Sequence, residues 1–66
     1  MIISNFTEPE LDYFRKSCNF VGDELFVFEY RSRGIPLEQI AEVLNLSVDG
    51  VKKISRKVNK KIMRVI

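Results

Sequence analysis

No histidine occurs anywhere in the 66 residues, and there are only one cysteine, two prolines and three glycines. The missing histidine removes the commonest general base and a common metal ligand together. The lone thiol, Cys18, has no partner for an internal disulfide, which fits a reducing compartment and makes the cytoplasm the expected location. Long apolar runs are absent too. Met1-Ile2-Ile3 is interrupted at once by Ser4 and Asn5 and carries no basic flank, so neither a membrane span nor a signal peptide is expected. No Cys/His/carboxylate cluster has metal-ligand spacing, no serine has a base partner, and no glycine-rich phosphate loop occurs. The sequence therefore argues against an enzyme. It gives no catalytic residue, cofactor, metal ligand or small-molecule substrate to expect.

What is present suits one small domain spanning 1–66. Hydrophobic residues make up 45% and charged residues 30%, the balance of a soluble globular domain rather than a disordered tail. A domain of this size buries only about 60% of the surface its unfolded chain exposes, which leaves no room for a cleft between domains. The net charge of +2 is unevenly spread. Residues 1–34 carry four basic and six acidic side chains, whereas residues 35–66 carry seven basic and three acidic, a swing from −2 to +4. From Leu46 onward the tally is seven to one. Such asymmetry points to a polyanionic partner on the C-terminal side, although lysines are also ordinary surface residues.

Four helices are predicted. Thr7 with Glu10 three residues on makes a capping-box signature, and Pro9 sits in the permissive first turn. Leu11, Phe14 and Cys18 recur at helical spacing, so the first helix covers 7–18, with Phe6 placed to staple onto Leu11. A second helix is predicted over 23–33, stopped by Gly34. The run Leu25 to Tyr30 is rich in strand-favouring residues, but acidic residues open it and a lone strand has no partner elsewhere. Pro36 opens a third helix that ends near Leu44. In the fourth, from Val48 to about Arg64, Val48, Val51, Ile54, Val58, Ile62 and Val65 keep one stripe toward the core. Gly50, in its first turn, costs about 1 kcal/mol of helix propensity relative to Ala and has no evident special role.

The most informative stretch is Leu37 to Arg56. Ala41 is small enough for two helices to cross closely, and Ile40, Leu44, Leu46, Val51 and Ile54 are expected to point inward. Asn45 stands where the first of the pair must end in a left-handed conformation, which Gly tolerates best and Asn next best. Ser47 stands where an N-cap is wanted. The pattern predicts an all-α, four-helix domain with a helix-turn-helix core at 35–64 and a basic C-terminal recognition helix, supported by the helices at 7–18 and 23–33. A recognition helix lies in the major groove and meets base edges with its N-terminal residues. The base-edge candidates are Ser47, Val48, Asp49, Lys52, Lys53 and Arg56. Arg56 and the lysines are suited to guanine O6 and N7, Asp49 to cytosine N4 and Val48 to a thymine methyl. Asp49 also has a plainer role, since an acid in the first turn stabilises the helix dipole by a few tenths of a kcal/mol, on the order of 0.3. Gln39, Lys57, Lys60, Lys61 and Arg64 are the phosphate candidates, which set affinity without reading sequence.

From Phe20 to Ile62 the chain resembles the DNA-binding modules of LuxR-type response regulators and of sigma factor region 4. The resemblance rests on Glu24, Val27-Phe28, Gly34, Ile40-Ala41, Leu44, Leu46-Ser47, Val51-Lys52, Val58 and Lys61-Ile62, in register and without a gap. It covers about two-thirds of the chain and is most specific from Gly34 through Val51. The chain departs from the family at Val21 and Pro36, where a Ser or Thr cap is usual, at Gly50, usually Thr, and at Ile54, usually polar or His. No C-terminal dimerisation helix of the LuxR type is expected, and the added helix lies at the N-terminus, closer to the sigma arrangement. The resemblance implies a small stand-alone transcriptional regulator, of the kind seen in phages and Gram-positive bacteria, that binds double-stranded DNA sequence-specifically. The alternative it admits is a protein-interaction module of sigma region 4 type, docking on RNA polymerase or another regulator, with DNA contact secondary. Phe14, Phe26, Phe28 and Tyr30 are expected to pack rather than stack on bases. Any aromatics left exposed, together with Ile62, Met63, Val65 and Ile66, would offer a surface for a homodimer.

Overall fold

The computed structural model describes residues 2–66 and is all-α, with no strand among the described residues. After a short 3-10 turn at Ile3–Asn5 come α1 (Glu8–Ser17), α2 (Asp23–Ser32), α3 (Leu37–Leu44) and α4 (Val48–Val65). Helix α4 packs against each of the other three. Its 18 residues, at about 1.5 Å each, run nearly the whole 29 Å length of the molecule.

Local chemistry sets each boundary. The capping box forms as its spacing predicts: the Thr7 amide donates to Glu10 Oε1 at 2.8 Å, and Thr7 Oγ1 accepts from the Glu10 amide at 3.4 Å. Thr7 and Cys18 flank α1 as its caps. Phe6 sits edge-to-face on Phe14, 4.9 Å between ring centroids, in the cluster that also holds Leu11. The strand-favouring run of α2 is helical because its start and stop are both specified. Gly22, at φ +56° and ψ −129°, turns the chain into the helix, and Gly34, at φ +78°, turns it out. Asn45 adopts the left-handed conformation expected of it, φ 56° and ψ 44°. That bend lets the Leu46 amide donate to the Ala41 carbonyl at 2.9 Å, a Schellman-type closure. Ser47 then caps α4, its Oγ accepting from the Gly50 amide at 3.0 Å.

Two apolar clusters meet along α4. Ile3, Leu11, Phe14, Cys18, Phe28, Val58 and Ile62 form one; Val27, Ile40, Ala41 and Val51 form the other, and Ile54 packs against both. Adjacent residues Val27 and Phe28 of α2 thus serve different clusters. The second cluster fixes α3 against the start of α4, and the first ties the far half of α4 to α1 and the N-terminal turn. No helix among the described residues is long and apolar enough to cross a membrane.

Two expectations about apolar residues, at Leu46 and Ile62, are corrected. Leu46, expected inside, is 40% exposed, because the left-handed Asn45 and the extended Ser47 leave it on the outer side of the turn. Phe26 packs on Tyr30, 4.6 Å between ring centroids, but stays 40% exposed, because Val27 and Phe28 take the inward positions of that turn. Ile62, placed in a possible self-association surface, is wholly buried in the first cluster.

Candidate nucleic-acid interface

The inward stripe of α4 comprises Val51, Val58 and Ile62, buried, with Val48, Ile54 and Val65 at its margins. Opposite it, Asp49, Lys52, Lys53, Arg56, Lys57, Lys60, Met63 and Arg64 are all exposed. This face therefore carries six cations and one carboxylate. Among the described residues, none of those six cations has a carboxylate within 4.0 Å. In the N-terminal half three of the four cations are engaged, while exposed Arg33 has no carboxylate within 4.0 Å among the described residues. Arg15 makes a two-pronged contact with Glu29, Nε at 2.7 Å and one terminal nitrogen at 2.9 Å, with its guanidinium over the Phe28 ring. Lys16 pairs with Asp12 at 2.9 Å, and Arg31 donates to the Ile35 carbonyl. Most of the unpaired positive charge thus lies on one face of one helix.

The sequence candidates separate on this geometry. Asp49, Lys52, Lys53 and Arg56 lie together on the exposed face of the first turns of α4. Ser47 is exposed at the head of the helix, but its oxygen is committed to the cap. Val48 is half-buried against the second cluster, so it sits at the edge of the face rather than on it. Lys57, Lys60 and Arg64 continue the basic face toward the C-terminus. Gln39 is exposed on the first turn of α3, where its own amide donates to the Pro36 carbonyl.

Lys61 departs from its expected place. Its ammonium is bound to the Glu24 carboxylate, 2.5 Å away, and to the Asn19 carbonyl, which withdraws it from the open face toward the α1–α2 loop. Glu24 is the one acidic side chain buried among the described residues, and its Oε1 also accepts from the Val21 amide at 3.1 Å. Lys61 first, and then that amide, hold the Glu24 carboxyl below the usual carboxylate range. Sequence spacing gave no signal for a contact 37 residues apart. The hint available was local: α2 has no side-chain cap, and Glu24 in its first turn instead accepts from the Val21 amide just ahead of the helix.

Gly50 also acquires a role. A Cβ there would lie 3.2 Å from Ser47 Oγ, so glycine leaves the capping hydroxyl room.

An apolar concavity of about 410 Å³ lies on α2, where Leu25, Phe26 and Tyr30 are rimmed by Asp23, Glu29 and Arg33. Val21, Leu25 and Phe26 are 56%, 44% and 40% exposed. No group of His, Cys, Asp and Glu side chains among the described residues is arranged to hold a metal ion. No protein-family model matches the chain, and no curated protein or solved structure matches it.

Proposed function

We propose that this chain binds double-stranded DNA through a helix-turn-helix made of α3, the turn at 45–47 and α4, and that it acts in transcriptional regulation. The observation that carries the reading is the unpaired basic face of α4. Six cations stand opposite the core stripe of a helix that begins at a capped turn and is braced along its length by the other three. A helix of this kind fits the major groove, with its first turns toward the bases. Asp49, Lys52, Lys53 and Arg56 are the base-edge residues in this reading, and Lys57, Lys60 and Arg64 the phosphate contacts. Ser47 and Gln39 flank the groove. A second copy, joined through the exposed apolar end at Tyr13 and Ile66, would supply the second half-site of a two-fold operator.

The α2 concavity favours a second reading, in which the chain is a sigma region 4-like interaction module. Exposed Val21, Leu25 and Phe26 would then receive an apolar segment of RNA polymerase or another regulator, with DNA contact secondary.

The two readings part in one titration. Fluorescence anisotropy of a labelled random-sequence duplex is followed across a salt series for the wild type and for Lys52→Ala/Lys53→Ala/Arg56→Ala. The DNA reading expects binding in the range of about 1–100 µM that weakens steeply with salt and is lost in the variant. Absence of wild-type binding at low salt removes that reading and leaves the interaction module.

A further inference from the structure

The far end of α4 holds an arrangement that simple charge counting misses. Lys57, Lys60, Lys61 and Arg64 line one small cavity, of about 120 Å³, whose remaining wall is Glu24. Three of these cations are exposed and unpaired, while the fourth, Lys61, is clamped by Glu24 and the Asn19 carbonyl. The Glu24 carboxylate is held in place, because the same oxygen that binds Lys61 also accepts from the Val21 amide just ahead of α2.

We infer that Glu24 is a positioning residue that sets the edge of the phosphate-contacting face, keeping Lys61 out of it so that Lys57, Lys60 and Arg64 alone meet the backbone. The inference rests on the DNA-binding reading above and goes beyond it by assigning which cations release counterions. A polyanion approaching this end of α4 competes with Glu24 for Lys61. The carboxylate has the advantage of being already oriented, buried and tied to the backbone. Glu24 therefore acts through Lys61, and its effect is on the number of phosphates neutralised rather than on the bases read.

The salt dependence of binding counts those phosphates, since each neutralised phosphate contributes about 0.9 to the slope of log K against log salt. The assay uses the full chain and a random-sequence duplex, with folding of each variant checked by circular dichroism. Lys60→Ala should flatten the slope by about 0.9. Glu24→Gln retains an acceptor for the Val21 amide but surrenders the charge that holds Lys61, and should steepen the slope by about 0.9, an added loss of roughly 3- to 4-fold in affinity between 50 and 200 mM salt. The charge-neutral pair Glu24→Gln/Lys61→Met should return the slope to its wild-type value. An unchanged slope in Glu24→Gln, or a slope flatter than wild type in the double variant, overturns the inference while leaving DNA binding intact. Failure of the wild type to bind the duplex overturns both together. If Glu24→Gln alone does not fold, the double variant decides, because it removes Lys61 without leaving a buried charge unpaired.

Discussion

At Asn45 one backbone conformation carries the geometry between α3 and α4. A non-glycine residue in the left-handed region costs about 1–2 kcal/mol unless its side chain suits that region, as asparagine's does. Asn45→Ala should therefore lower stability by about 1 kcal/mol in urea melts, while Asn45→Gly should be neutral or slightly stabilising. This residue was legible from its type and position alone, as was the Thr7–Glu10 capping box. Glu24 was not, because its partner is distant in sequence and nothing in a stretch of α2 announces that α4 will supply a lysine. The carboxylates carry a pH dependence whose sign is fixed. Glu24 is held low by Lys61 and Glu29 by Arg15, so each titrates at lower pH folded than unfolded. Their contribution is complete above the ordinary glutamate value of about 4.3 and is lost as the pH falls through the lower folded values. Urea midpoints should therefore be level from pH 7 to about pH 5 and fall below that, and Glu24→Gln should shrink the fall. A midpoint that rises on acidification would contradict both ion pairs.

Helix α4 is the element on which the rest depends. Its inward stripe is shared between two clusters, with Val51 in one, Val58 and Ile62 in the other and Ile54 touching both. Removing a buried side chain from it should loosen the whole molecule rather than one end. Ile62→Ala is expected to cost about 2–5 kcal/mol, a large part of what a domain this small has, whereas exposed Met63→Ala should change stability by less than about 0.5 kcal/mol. Thermal denaturation by circular dichroism separates the two. The periodicity of α4 was readable because its apolar stripe is long and most of its remaining positions are charged. Helix α2 was harder, since its composition favours strand. The deciding signals were its acidic start and its glycine stop, and the structure adds Gly22 at the entrance. Leu46 and Phe26 could not be placed by pattern, because both are apolar residues next to stronger claimants for the core. The 3-10 turn that buries Ile3 likewise depends on tertiary packing against α2 rather than on local propensity.

Over the whole molecule, charge and shape are arranged along one axis. The body is 29 × 19 × 17 Å, and α4 lies along its length with the unpaired cations outward. In the N-terminal half Arg15 and Lys16 are neutralised by Glu29 and Asp12, which leaves most of the unpaired positive charge on the α4 side. The apolar concavity on α2 offers a different surface, one that suits a protein partner. Which surface meets the ligand is the central question, and a single titration answers it. Uniformly ¹⁵N-labelled protein titrated with a short duplex, followed residue by residue through its amide resonances, should show shifts concentrated at Ser47, Asp49, Lys52, Lys53, Arg56, Lys60 and Arg64. The amides of Val21, Leu25 and Phe26 should stay in place. Shifts confined to α2, or none at low salt, would contradict the account.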